Sequence, residues 1–260
     1  LASAATLLEE TMLVLFTDYG WRDPYVGQVK GVLARAAPGV PIIDLLHGAP
    51  DFNAHAGAQL LHALAASFPA GAVFFCVVDP GVGGPREAAV VEADGRWFVG
   101  PDNGLLSIVA ARADLARCWR IHWRPEGLSD TFHGRDLFAP VAARIAAADF
   151  PDHWLTPVEA SNVQFDAADL PRILYIDHYG NAWTGIRGGL ADPGARLEVK
   201  GETLAWRRIF SDAAKGEAFW HVNSAGLIEI AANRADAARL LGLAVGDPVR
   251  LSGSPDSRWH

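Results

Sequence analysis

The chain has 260 residues, half of them hydrophobic, and 22 Lys and Arg against 30 Asp and Glu give a formal charge of −8. This length and composition fit a globular protein with one large core or two smaller ones, and they exclude collagen-like, disordered and disulfide-scaffold classes. The acidic balance argues against non-specific nucleic-acid binding, and the longest apolar run, over 72–78, falls far short of the roughly 17 residues of a membrane span.

Residues 1–11 lack the basic start and apolar run of a signal peptide and are expected to be a leader or cloning scar. From Met12 to about Ala148, short apolar runs alternate with helical periodicity, which predicts βαβ units around a mostly parallel sheet. Strands are predicted over 13–16, 42–46, 73–78, 89–93 and 97–100, and helices over 24–37, 53–67 and 134–148. The run 73–78 is apolar on both faces, as a central parallel strand should be. After Phe150 the texture changes. Pro151, Pro157 and Pro171 punctuate a polar stretch, and strand-like runs follow at 173–176, 182–186, 196–199, 204–210, 219–222, 227–231 and 249–251. One helix interrupts them, near 235–241. Short strands separated by glycine-rich turns indicate a small β-barrel or sandwich. The expected organisation is therefore an α/β domain over 12–160 and a barrel-like all-β domain over 171–260.

Four loops of the α/β region carry polar groups suited to chemistry. The first strand ends in Thr17-Asp18-Tyr19-Gly20, at the kind of strand terminus where open α/β sheets bind ligands. No Gly-x-Gly-x-x-Gly follows, which counts against a dinucleotide. Asp18 could accept two hydrogen bonds from a ribose diol, or could be a turn residue bonded to its own backbone. The central strand runs into Asp79-Pro80-Gly81-Val82-Gly83-Gly84-Pro85-Arg86, a tight loop without the Lys-Ser/Thr of a P-loop. Asp79 and Arg86 on it could form a structural ion pair or a reactive one. Asp102 or Asn103 is expected to cap a helix beginning at Leu105. His133, before the helix at 134–148, is expected to face solvent or ligand where the helix dipole disfavours its charged form.

The β-rich half adds Asp177-His178-Tyr179-Gly180-Asn181 and Asn223-Ser224-Ala225-Gly226. Amide plus ring could grip a purine, and both segments also suit hairpin turns. His47, His55, His62, His122, His153 and His221 show no metal-ligand spacing, so no metal is expected. Cys76 and Cys118 have no neighbouring cysteine and are expected to be buried, reduced thiols in a cytoplasmic protein.

Taken in order, these segments resemble the S-adenosyl-L-methionine hydroxide adenosyltransferase family, whose relatives include fluorinating and chlorinating adenosyl synthases. The resemblance runs from Met12 to Leu251. It rests on Phe16-Thr17-Asp18-Tyr19-Gly20, Tyr25-Val26-Gly27 with Lys30-Gly31, Val78-Asp79-Pro80-Gly81-Val82-Gly83, Gly100-Pro101-Asp102-Asn103-Gly104, Phe132-His133-Gly134-Arg135-Asp136, Asp177 with Gly180-Asn181, and Asn223-Ser224 with Gly226. It implies hydrolysis of S-adenosyl-L-methionine to adenosine and methionine, without cofactor or metal. The resemblance assigns Asp79, Arg86 and His133 to the attacked C5′ and Asp18 to the ribose diol. It makes Phe132 a substrate contact, Asp177 and Ser224 methionine contacts, Tyr179 and Asn181 adenine contacts, and Phe210 an aromatic that stacks on adenine. It also implies a homotrimer with each site completed by a neighbour's barrel. Ala225 stands where the fluorinating relatives carry an arginine, so the methionine carboxylate contacts are expected to differ. The alternatives are a non-catalytic binder of S-adenosylmethionine or adenosine, a halide-dependent adenosyl halide synthase, and a methyltransferase.

Overall fold

The computed structural model describes residues 11–190 and 192–252. The leader expected over 1–11 thus lies, apart from Thr11, outside the described residues. The chain parts into two compact units between Ala167 and Ala168.

In the N-terminal unit, β1 (Leu13–Thr17), α1 (Tyr25–Ala36), β2 (Ile42–Leu46), α2 (Ala54–Ala65) and β3 (Val73–Val77) alternate as the periodicity predicts. Then come β4 (Ala88–Ala93), β5 (Arg96–Pro101), α3 (Ser107–Ala111), β6 (Ala116–Ile121), a π-helical turn (Gly134–Phe138), α4 (Ala139–Ala146) and β7 (Leu155–Val158). The strands form one sheet in the order β2-β1-β3-β5-β4-β6-β7. Strands β2, β1, β3 and β5 pair in parallel, whereas β5, β4, β6 and β7 pair antiparallel. The sheet is therefore mixed, a correction to the mostly parallel one expected. The reversal is made at Asp94-Gly95, where both residues have positive φ (49° and 78°), as a two-residue hairpin turn requires.

Strands β6 and β7 were not predicted. Strand β6 buries Cys118 and Ile121, three residues apart, and so lacks the alternation of a half-buried strand. Strand β7 contains Pro157, which is tolerated because β7 is the sheet edge.

Helices α1 and α4 pack on one face of the sheet, burying Val29, Leu33 and Val141 against Leu13, Leu15, Phe75 and Val77. Each such side chain contributes about 1.5–3 kcal/mol by leaving water. Helix α2 is capped by Asn53, whose Oδ1 accepts the Ala56 N–H at 3.0 Å. On the other face its Gly57 lies against Phe16, Val78 and Leu105. The helix expected over 134–148 is in two pieces. In the first, the Ala139 N–H bonds to the Gly134 carbonyl five residues back. Pro140, which has no N–H to donate, follows immediately.

The C-terminal unit contains β8 (Leu170–Ile176), β9 (Ala182–Arg187), β10 (Arg196–Val199), β11 (Glu202–Ala205), β12 (Ala218–Val222), β13 (Leu227–Ala232), α5 (Ala237–Leu241) and β14 (Val249–Ser252). They make two antiparallel sheets, β12-β13-β9-β8 and β11-β10-β14. Ile173, Leu197, Trp220, Ile228 and Ile230 share their core. The strand expected over 204–210 ends at Ala205. Beyond it the Arg207 N–H bonds to the Trp220 carbonyl, and Phe210–Asp212 form a 3-10 turn.

Candidate active site

The chemistry-bearing loops of the N-terminal unit leave the carboxyl ends of the adjacent strands β1 and β3. Asp79 follows β3 by two residues, and the glycine-rich loop returns Arg86 to it. Arg86 Nε donates to Asp79 Oδ1 at 2.9 Å and Oδ2 at 3.1 Å, and Nη2 also donates to Oδ2. The same Nη2 lies 3.0 Å from His133 Nδ1. One guanidinium thus bridges the carboxylate and the imidazole. The Arg86 and Asp79 side chains are 11% and 4% exposed, and Phe138 lies under the guanidinium at 5.3 Å.

The arginine fixes the histidine tautomer. A guanidinium only donates, so His133 Nδ1 must accept, and the neutral ring carries its proton on Nε2. Burial, and then the Arg86 charge, hold the imidazole below its ordinary pKa. His133 is therefore a neutral ring presenting an N–H donor. Of the two expected settings, solvent or ligand, it has the second: it is largely buried and faces the cavity described next, and the first causes of its depressed basicity are burial and Arg86, where the sequence pointed to a helix dipole.

Beside these groups lies a cavity of about 310 Å³ whose lining includes Asp18, Asp51, Phe52, Asp79, Phe132 and His133. It is at the lower end of the roughly 300–1,000 Å³ usual for small-molecule sites. Asp18 is half-buried, and its carboxyl is raised to about 6. Burial is the main cause; the Phe52 and Asp18 backbone N–H groups oppose it, while Asp51 and Asp79 push it further up. Three carboxylates against one guanidinium make the cavity suited to a cation. Sequence reasoning missed Asp51 and Phe52. Their position just past β2, the next parallel strand at the same end of the sheet, was the available signal.

Close packing holds the loops in place. A Cβ on Gly134 would sit 2.0 Å from the Tyr19 hydroxyl, and one on Gly83, whose φ is +77°, would sit 2.3 Å from the Asp130 carbonyl. The expected cap by Asp102 or Asn103 is met only in part: Asn103 Oδ1 accepts the Leu105 N–H at 3.2 Å, but α3 begins only at Ser107 and has no side-chain cap of its own. The Asn103 side-chain amide also donates to the Val78 carbonyl at 2.9 Å, bracing the residue before Asp79. The Asp102 carboxylate accepts the Asn162 and Val163 N–H groups at 3.0 and 3.4 Å. His55 stacks on Phe165, and both cysteines are buried free thiols.

The remaining candidates lie in the C-terminal unit. Asp177 accepts the backbone N–H groups of Tyr179 and Asn181 and the Asn181 side-chain amide, each at 2.9 Å, so it locks its own turn. Asn181 is buried, whereas the Tyr179 ring is 74% exposed. Phe210 packs edge-on against Phe219 and His221, and Ser224 is exposed on the β12–β13 turn.

Two family models match the chain: the SAM hydroxide adenosyltransferase N-terminal domain over residues 13–154 and the corresponding C-terminal domain over 171–250. A protein of Thermus thermophilus named (R)-S-adenosyl-L-methionine hydrolase is 39% identical over 90% of this chain and 97% of its own length. A protein of the same name from Salinispora tropica is also 39% identical, over 91% and 95%. A fluorinase of Actinopolyspora mzabensis is 26% identical over 94% and 97%. Among solved structures, an uncharacterized conserved protein from Thermotoga maritima superimposes with a TM-score of 0.84 at 32% identity, covering 92% of this chain and 99% of that one.

Proposed function

Because the chain belongs to the SAM hydroxide adenosyltransferase family, we propose that it hydrolyses S-adenosyl-L-methionine, giving adenosine and L-methionine. The observation that carries this reading is the bridging of Asp79 and His133 by Arg86 at the edge of the cavity. A protein that only bound the nucleoside would have no use for that convergence.

The sulfonium is an excellent leaving group, so the chemical task is to place and deprotonate a water. In our reading, the His133 Nε2–H donates to the water oxygen and orients it behind C5′, in line with the C5′–S bond. The Asp79 carboxylate, its orientation fixed by Arg86, accepts the water proton as the new O–C5′ bond forms. The C5′–S electron pair leaves with sulfur as neutral methionine. Asp18 takes the ribose diol and Phe132 packs on the substrate. A halide nucleophile would face Asp18, Asp51 and Asp79 at once, and like-charge repulsion there favours water.

The reading extends to the C-terminal unit as a barrel-like module offering Asp177 and Ser224 to methionine and Tyr179, Asn181 and Phe210 to adenine. Each site is then completed by a neighbouring copy in a cytoplasmic homotrimer, which light scattering would test as a threefold mass. The reaction is tested by incubating both sulfonium epimers in H₂¹⁸O and chromatographing the products. The names of the relatives make the (R) epimer the first to try. We expect adenosine carrying ¹⁸O at its 5′-hydroxyl together with unlabelled methionine. Unchanged substrate of both epimers, or label in methionine, refutes the proposal.

A further inference from the structure

A hydrogen-bond chain that runs from the surface to a buried end stands behind the β1 loop, separate from Asp79, Arg86 and His133. Lys30 Nζ donates to Asp44 Oδ2 at 2.8 Å, and His47 Nε2 lies 3.1 Å from Asp44 Oδ1. His47 Nδ1 lies 2.8 Å from Thr17 Oγ1, and that hydroxyl accepts the Tyr19 N–H at 3.3 Å. Thr17 and His47 are fully buried, with the Trp21 ring edge-on to the imidazole at 4.6 Å.

Donor and acceptor rules give the chain one direction. A carboxylate only accepts, so the His47 proton is on Nε2, pointing at Asp44. In the neutral ring Nδ1 then accepts from the Thr17 hydroxyl, whose lone pairs are left for the Tyr19 amide. The His47 carbonyl also accepts the Gly20 N–H at 2.6 Å, and the Thr17 carbonyl accepts the Ala49 N–H at 3.0 Å. Asp18 sits between these anchored neighbours: Thr17, held by the imidazole through its hydroxyl, precedes it, and the bonded Tyr19 and Gly20 N–H groups follow it.

We infer that Lys30, Asp44, His47 and Thr17 are positioning residues that aim the Asp18 carboxylate at the ribose diol. This rests on the nucleoside reading of the cavity. Neither Thr17 nor His47 reaches solvent, so neither serves as nucleophile or base. Their effect is on Asp18 geometry, and a misplacement of about 1 Å in such a group costs up to about 100-fold. A purely structural chain would instead support every ligand of the cavity equally.

The test compares dissociation constants for adenosine and 2′,3′-dideoxyadenosine, which lacks the diol, in wild type, Thr17→Val, Thr17→Ser and Asp44→Ala. Wild type is expected to prefer adenosine by about tenfold or more. Thr17→Val, isosteric but without the hydroxyl, is expected to lose at least fivefold of that preference with little change in dideoxyadenosine binding. Thr17→Ser restores the preference. Asp44→Ala, at the partly exposed end of the chain, shifts the ratio in the same direction and covers the case in which Thr17→Val fails to fold. Equal weakening of both ligands, or an unchanged ratio in both Thr17→Val and Asp44→Ala, overturns the positioning role while leaving the hydrolase reading intact. Failure of wild type to bind adenosine overturns both.

Discussion

Acidifying the solution from about pH 7.5 to about pH 5 is expected to weaken adenosine binding roughly tenfold, through Asp18. Burial, with the charges of Asp51 and Asp79 adding to it, holds this carboxyl at about 6 against an ordinary 3.8. A carboxylate accepts both hydrogen bonds of a diol, whereas the protonated acid must redirect one oxygen as a donor. At pH 5 about nine-tenths of a group titrating near 6 is protonated, which sets the tenfold. Calorimetric titration across this range measures it, and 2′,3′-dideoxyadenosine, run in parallel, removes the contribution of His133. Asp18→Asn should bind adenosine weakly and with only the pH dependence that the dideoxy ligand also shows. The same shift acts on folding. Because the folded pKa is raised, the stability it confers is complete below 3.8 and is lost as pH rises through about 6. The rise corresponds to about 3 kcal/mol, which solvent screening of a half-buried group reduces to about 1–2 kcal/mol. Asp18→Asn should therefore melt higher than wild type at pH 7.5 while binding worse. A flat adenosine affinity between pH 7.5 and 5, or one that tracks the dideoxy ligand, refutes the reasoning.

Asp79→Asn is expected to lower kcat by about 10²–10⁴-fold while KM moves only a few-fold, the mark of a lost proton acceptor; single-turnover rates check this. Arg86→Lys keeps the charge but cannot reach Asp79 and His133 together with one planar fork, so its kcat should fall by about 100-fold or more with no loss of secondary structure by circular dichroism. Gly134→Ala drives a methyl into the Tyr19 hydroxyl and should cost about 1–3 kcal/mol in denaturant titration, with part of the loss recovered when Tyr19→Phe is added. Gly83→Ala combines a left-handed backbone with a clash against Asp130, so both its melting temperature and its kcat should drop.

The first half of the fold was legible because its strands are either wholly buried or separated by strongly periodic helices, as in 13–16 and 73–78. The antiparallel half was not read as such, although Asp94-Gly95 between two apolar runs is a strong short-range hairpin signal. Strand β6 was hidden by Arg117 and Arg120 and by buried positions three apart, a spacing that mimics a helix. For the site, local motifs left Asp18 weighed against an ordinary turn and Asp79 against a structural ion pair. Only the order of seven segments tipped them together. The role of Asn103 under Val78, and the Thr17–His47 contact across thirty positions, are tertiary facts with no local signature. His47 shows no metal-ligand spacing because its partners are a hydroxyl on β1 and a carboxylate on β2.

The turn at Gly134–Phe138 holds one residue more than an α-helix would use for the same rise, since its hydrogen bond spans five residues instead of four. An insertion of that kind shifts everything upstream by about 100° of helical rotation relative to what lies downstream. The helix downstream is committed to the sheet through Val141 and Ile145, so the offset falls on the turn and on His133 just before it. Deleting a single residue from this turn would close it to four-residue hydrogen bonding, and would force Leu137 and Phe138 to repack while swinging the imidazole away from its guanidinium.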